Sequence, residues 1–273
     1  MLKFALILLL PLQALLAADS SFVIIIPSYN NVHYCNWNLT SVARQTYKNY
    51  RIIYVDDCSS DGTFEKAESL VAQYQLTDRT TLIKNEKRCL AVENIYKAVL
   101  LCDDKEIIVM LDGDDWFYDA SALEILNNYY SDPEVWMTFG SYVYHPSYTK
   151  GECVEPIPAE VIAKNSIRKH VEKNWILSHL KTCYAGLFKK IKVEDLKWKG
   201  KFFESSYDQA FMLPMVEMAG THALCVPEIL YVNNRSNPIN DDKWNKKLQQ
   251  DCMYYIRALP PYKPLKELFP ADY

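Results

Sequence analysis

A chain of 273 residues that is 49% hydrophobic and 23% charged can bury one large core, as a single α/β domain or as one domain with an appendage. A net charge of −4 without any basic tract leaves no footing for a nucleic-acid partner held through phosphate contacts. The 20 Tyr and 6 Trp suit contact with carbohydrate, although such amphipathic rings also fill cores and interfaces.

The chain begins with Lys3, an apolar run from Phe4 to Leu10, Pro11, and a second apolar run to Ala18. This reads as a secretory signal with a short apolar core, too short and too interrupted by proline for a comfortable membrane span. Leu15 and Leu16 spoil the small-x-small pattern that a cleavage site needs, so an uncleaved N-terminal anchor is the alternative. Either reading places the protein in the secretory pathway or exported, or associated with a membrane through its N-terminus.

From Phe22 the β-branched run Phe-Val-Ile-Ile-Ile is ended by Pro27 and followed by Ser28-Tyr29-Asn30-Asn31, a buried strand delivering a polar loop. A helix is expected from about Tyr34 to Gln45. Arg51 to Asp56 forms a second apolar strand, which runs into Asp57-Cys58-Ser59-Ser60-Asp61-Gly62-Thr63. Phe64, Ala67, Leu70, Val71 and Tyr74 then recur at helical spacing, with Asp61 or Thr63 placed to cap that helix. Thr81 to Lys84 is a short third strand, and Ala91, Ile95, Ala98, Val99 and Cys102 mark one face of the next helix.

Ile107 to Leu111 is a fourth buried strand, and it breaks abruptly into Asp112, Gly113, Asp114 and Asp115. Three carboxylates at the mouth of an apolar core repel one another unless a cation offsets them. A solvated acidic turn is the plainer alternative, and Asp115 in particular is placed to cap the helix expected from Ala120 to Tyr130. Four strands separated by helices predict a Rossmann-like, mostly parallel sheet flanked by helices, since parallel neighbours need a crossover. Ligands of such sheets bind beyond the carboxyl ends of the strands, where the loops at Tyr29, Asp57 and Asp112 converge. The glycine fingerprint of dinucleotide binding and the phosphate-binding lysine loop are both absent, which leaves a nucleotide pocket built from side chains and an acidic metal site.

Beyond Pro133, Val135 to Phe139 and Tyr142 to Tyr144 read as strands around Gly140, an antiparallel addition at the sheet edge. Lys150 to Lys164 reads as a loop over the site or a connector, Glu172 to Leu180 and Tyr207 to Ala219 as helices, Ile229 to Val232 as a short strand, and Asp242 to Leu259 as a polar-faced helix before a loosely packed end. Eight scattered cysteines without a Cys-x-x-Cys pair argue against zinc, and buried free thiols are the expectation for Cys58 and Cys102. Asn38-Leu39-Thr40 and Asn234-Arg235-Ser236 match glycosylation acceptors.

Three ordered pieces, Val23 to Asn30, Val55 to Thr63 and Met110 to Asp115, resemble glycosyltransferase family 2, whose members have the glycosyltransferase-A fold. The resemblance implies a catalytic domain over residues 21–235, with residues 236–273 as a C-terminal helix and tail packing on it. It implies that Pro27, Tyr29 and Asn30 line the base and ribose pocket, that Asp57 accepts a hydrogen bond from the nucleobase, that Asp112 faces the ribose or diphosphate, and that Asp114 holds Mn²⁺ or Mg²⁺. Asp208, before the apolar run from Ala210, would be the base for the acceptor hydroxyl, with Glu204 in reserve and a helix cap as the structural alternative. His179 or Lys181 would meet the diphosphate, unless His179 is a satisfied structural residue. Arg88 and Lys87 precede Cys89 where many members carry glycine, a departure in the third wall of the donor pocket. The implied activity is inverting transfer from a nucleoside-diphosphate sugar, a UDP-sugar first among them, to a hydroxyl acceptor of glycan type. A catalytically inactive glycan- or nucleotide-binding protein of the same fold is the alternative, and a nucleotidyltransferase would want a Gly-rich basic loop that Ser28-Tyr29-Asn30 is not.

Overall fold

The computed structural model describes residues 19–151, 155–172, 174–239 and 245–270. The chain runs β1 (Phe22–Ser28), α1 (Cys35–Ala43), β2 (Tyr50–Asp56), α2 (Thr63–Gln73), β3 (Thr80–Lys84), α3 (Ala91–Val99), β4 (Ile107–Met110), β5 (Trp116–Phe117) and α4 (Ala122–Tyr130). It continues through β6 (Met137–His145), β7 (Thr149–Lys150), α5 (Ala159–Ala163), α6 (Ile167–His170), β8 (Lys181–Tyr184), α7 (Ala185–Phe188), β9 (Lys197–Trp198), β10 (Lys201–Phe202), α8 (Tyr207–Ala219), β11 (Ala223–Asn234) and a last helix, α9 (Lys246–Ala258).

The main sheet has the order β3-β2-β1-β4-β8-β6-β11-β5, with β7 on β6. β1 to β4 are parallel, as expected, and β11 is parallel to β6, whereas β8 is antiparallel to both of its neighbours and β5 to β11. Alternation along the buried strands divides the core into two layers. Val23, Ile25, Ile53 and Ile108 pack with α3 and α8, while Phe22, Ile24, Ile26, Ile52 and Val109 pack with α1, α2 and α4.

Several expectations from the sequence are corrected. Pro27 lies within β1, whose last residue is Ser28. Val135 to Tyr144 is not an edge addition: β6 is one strand inside the sheet, because its apolar residues are covered on both faces. Within the expected helix from Glu172 to Leu180, residues 174–180 are not helical, and they lead instead into β8. The segment 159–163 is a short helix whose Val161 enters the core, so it is no lid over the site. Residues 260–270 are not loose: Leu268 is buried, the Leu265 N–H donates to the Met218 carbonyl, and the Tyr262 N–H donates to Glu217 Oε2. Glu217 in turn holds Arg168 in a buried, two-bonded ion pair at 2.5 and 2.9 Å.

Seven described cysteines are unpaired, and Cys58 is exposed rather than buried. Asn38 and Asn234 are fully buried in the fold, which denies a glycan both acceptor sequences. The N-terminal targeting segment lies outside the described residues. Among the described residues no helix is long and apolar enough to cross a membrane.

Candidate active site

The carboxyl ends of β1, β2, β4, β6 and β11 share one edge of the sheet. Because β8 runs the other way, it brings its first residue, Lys181, to that same edge, in register with Met110. The loops there enclose a cleft of about 530 Å³, the size of a small-molecule site. It is lined from β1 by Pro27, Tyr29 and Asn31, from β2 by Asp57, from the acidic loop by Asp112, Asp114 and Asp115, and from the acceptor half by His179, Lys181, Glu204 and Asp208.

The acidic loop is strapped to β1. The Leu111 N–H donates to the Ile25 carbonyl, and the Gly113 N–H donates to the Pro27 carbonyl. A Cβ on Gly113 would stand 2.5 Å from Ser28 Oγ and 2.9 Å from the Pro27 oxygen, so only glycine allows the approach. From the other side Asn38 Nδ2 donates to the carbonyls of Asp112 and Asp115, at 3.0 and 2.8 Å.

The three carboxylates then part company. Asp115 is buried and turned away from solvent: its oxygens accept from the Tyr231 hydroxyl at 2.6 Å, the Asn234 N–H at 2.7 Å and Asn233 Nδ2 at 3.3 Å. It is therefore a brace to β11, not a helix cap, and the residue preceding α4 is Ser121. Burial, then the charges of Asp114 and Asp112, hold the Asp115 carboxyl well above the usual aspartate range. Asp112, beside the same tyrosine hydroxyl at 3.3 Å, is also raised by burial, while the Lys181 charge pulls it back. Asp114 Oδ2 accepts from Asn237 Nδ2 at 2.8 Å.

On the donor side the Arg88 guanidinium stacks on the Tyr29 ring at 3.6 Å and lies 3.8 Å from Asp57 Oδ2. Asp57 is almost fully buried and accepts from the Cys89 N–H, the Leu90 N–H and Asn85 Nδ2, so it anchors the Lys87–Leu90 turn as well as lining the cleft. Asn30 is the donor-side candidate that the fold does not bring to the cleft. It takes φ 50°, its N–H donates to Ser59 Oγ, and its Oδ1 accepts from the Ser60 N–H, which ties the β1 loop to the β2 loop. Asn31 lines the cleft in its place, its Oδ1 accepting from Asn237 Nδ2.

On the acceptor side Asp208 stands in the first turn of α8, two residues after the cap position, Ser206. Its Oδ2 is 3.7 Å from Lys181 Nζ, which is nearly buried and 3.5 Å from His179 Nδ1. Lys181 thus sits between Asp208, its ion-pair partner, and the acidic loop, where its charge acts on Asp112. The His179 ring stacks on Tyr231 at 4.4 Å and 9°, and burial together with the Lys181 charge keeps it neutral. It is a packed histidine at the cleft wall. Glu204 is exposed at the cleft.

Asn31, Tyr231, Asn233 and Asn237 were not legible as site residues. The run Asn233-Asn234-Arg235-Ser236-Asn237 after an apolar strand was the available signal.

Comparison with known proteins places this geometry. The family model described as Glycosyl transferase family 2 matches residues 23–193. An uncharacterized glycosyltransferase of Haemophilus influenzae is 28% identical over 124 residues, which are 45% of this chain and 38% of that protein. Among solved structures, S. aureus TarS 1-349 in complex with UDP-GlcNAc superposes with a TM-score of 0.59 at 18% identity, covering 80% of this chain and 59% of that one. The mannosyltransferase PcManGT from Pyrobaculum calidifontis, in complex with GDP-Man and Mn²⁺, does so with a TM-score of 0.53 at 21% identity, covering 78% and 56%. These two share the fold with this chain.

Proposed function

This chain belongs to glycosyl transferase family 2, and on that premise we propose that it moves a sugar from a nucleoside-diphosphate sugar to an acceptor hydroxyl, with inversion and with a divalent cation. The observation that carries the reading is one cleft lined both by the acidic loop after β4 and by Asp208 on the first turn of α8. A donor and an acceptor need those two chemistries side by side.

Asp112 and Asp114 offer only oxygen. Among the described residues no three His, Cys, Asp or Glu side chains converge on a metal position, so the chain would supply few ligands and the donor diphosphate the others. Mg²⁺ and Mn²⁺ are held in that way, by oxygen ligands of the protein and of a bound diphosphate. Asp114 is the ligand proposed, with Asp112 toward the ribose or diphosphate. When bound, the cation offsets the charge that develops on the departing diphosphate.

Tyr29, Arg88 and Asp57 frame the place for the base, and Pro27 and Asn31 the wall beside it. A UDP-sugar is the expected donor, in keeping with the UDP-GlcNAc held by the structural neighbour. Asp208 takes the proton of the acceptor hydroxyl as it attacks the anomeric carbon, and Lys181 holds the carboxylate in place. The acceptor expected is a glycan, since Trp175, Tyr142, Tyr144 and Tyr207 offer aromatic faces around the cleft. Export, or anchoring, through residues 1–18 belongs to the same proposal.

A screen of UDP-, GDP- and dTDP-sugars with Mn²⁺ or Mg²⁺ tests the proposal. Metal-dependent donor hydrolysis that Asp114→Asn lowers by about 10²-fold or more is the expected result. Binding of a donor without turnover would favour the inactive nucleotide-binding reading, and no donor binding at all would defeat the transferase reading.

A further inference from the structure

We propose that Tyr231 is a positioning residue of the acidic loop: its hydroxyl, set between the Asp112 and Asp115 carboxylates, fixes the loop in the shape that presents Asp114 to a divalent cation and Asp112 to the donor beside it. The inference rests on the metal-dependent reading above and adds a residue that lies about 120 positions from the loop it serves.

Tyr231 is fully buried near the end of β11. Its hydroxyl donates to Asp115 Oδ2 at 2.6 Å, lies 3.3 Å from Asp112 Oδ2, and accepts from the Asp112 N–H at 3.3 Å. One oxygen thus touches two side chains and the backbone of the loop. Asp115 has two other donors, the Asn234 N–H and Asn233 Nδ2, and the tyrosine hydroxyl joins it to Asp112 as well.

The tyrosine owes its own position to the sheet rather than to the site. Its register is set against Phe117 in β5 and Tyr142 in β6, and its ring is stacked on His179. A donor mounted on a strand interior holds its partners more tightly than one mounted on a loop. Without it, the buried Asp115 carboxylate and the half-buried Asp112 carboxylate would lose the hydroxyl that joins them, and the loop would relax by turning one of them away. Asp114 stands between the two in sequence, so any such turn moves the proposed metal ligand as well.

Tyr231→Phe keeps the ring, the stack and the buried area, and removes one oxygen. The test is a titration of the full chain with Mn²⁺ in the presence of saturating UDP, which supplies the diphosphate oxygens, followed by electron paramagnetic resonance, beside a thermal melt. We expect Mn²⁺ affinity to fall about 10- to 100-fold, the range seen when an outer partner of a metal ligand is removed. We also expect Asp115→Asn, added to Tyr231→Phe, to recover part of the lost affinity, because deleting one charge removes the need for the hydroxyl. A lower melting temperature with unchanged Mn²⁺ affinity would reduce Tyr231 to a core residue and overturn the inference. If Tyr231→Phe alone does not fold, the double variant carries the test, and an affinity for Mn²⁺ at the wild-type level with normal melting supports it, whereas affinity lost altogether overturns it. Absence of Mn²⁺ binding by the wild-type chain with UDP present would instead defeat the metal-dependent function itself, so the two failures are distinguishable.

Discussion

Asp208 and Lys181 show what a single residue's surroundings decide. An aspartate ahead of an apolar helix is by default a cap, and Asp208 Oδ1 does accept from the Gln209 N–H in the first turn of α8, but the cap position is Ser206 and Asp208 also lines the cleft, its Oδ2 3.7 Å from a nearly buried ammonium. Glu204, the reserve candidate, is exposed and has no comparable partner to orient it. We therefore expect Asp208→Asn to lower kcat by about 10² to 10⁴ with little change in donor KM, and Glu204→Gln to change kcat far less. Steady-state kinetics on the donor found by the screen checks both, and the opposite ranking would move the base to Glu204. At this scale the sequence was partly legible. The carboxylates of the acidic loop announced themselves because charge at the end of an apolar strand is conspicuous. The exchange of Asn30 for Asn31 did not, since which of two adjacent asparagines faces a cleft depends on one left-handed φ at Asn30.

At the scale of elements, the acidic loop is shaped by what surrounds it rather than by its own turn preference. β1 takes two of its N–H groups, Asn38 of α1 takes two of its carbonyls, and β11 takes the Asp115 carboxylate. Gly113 is the point where the loop touches β1, and Gly113→Ala is expected to force the two strand ends apart. Urea unfolding should show a loss of about 1–3 kcal/mol, the usual cost of overpacking, together with lost nucleotide binding. Full stability with intact binding would mean that the loop can move away from Ser28 at no cost. The four leading strands and the helix from Tyr207 to Ala219 were read correctly, because long runs of uniform periodicity leave little choice. β8 was missed since its four residues, Lys-Thr-Cys-Tyr, carry no run at all and follow a stretch with enough apolar residues to imitate a helix. Its strand character comes from the neighbours β4 and β6, which supply its hydrogen bonds.

Across the whole molecule, the two edges of the sheet do different work. The carboxyl edge gathers the carboxylates, while the amino edge is closed by Arg51 of β2, which makes two hydrogen bonds to Glu106 at 2.8 and 2.7 Å. Burial opposes the ionised Glu106, yet Arg51 and the Asp103 N–H overcome it and leave the carboxyl below its ordinary 4.5. A carboxyl lowered in the folded state contributes stability that is present above its unfolded value and is lost as the pH falls through the folded one. The wild-type advantage over Glu106→Gln in urea unfolding should therefore be full near neutral pH and shrink below pH 4.5. An advantage that stays constant down to strong acid would show that the pair contributes through shape and not through charge. By itself the sequence determined the strand-and-helix alternation of the first half, the family it resembles, and the polar loops that must meet at one edge, because buried strands and abrupt charge are written locally. The tertiary structure alone decided that β6 lies inside the sheet, that β8 runs against it and delivers Lys181 to Asp208, and that Tyr231 stands between two aspartates far from it in the chain. Those relations depend on pairing between distant segments, and no local pattern of residues encodes the direction of a strand or the partner it will find.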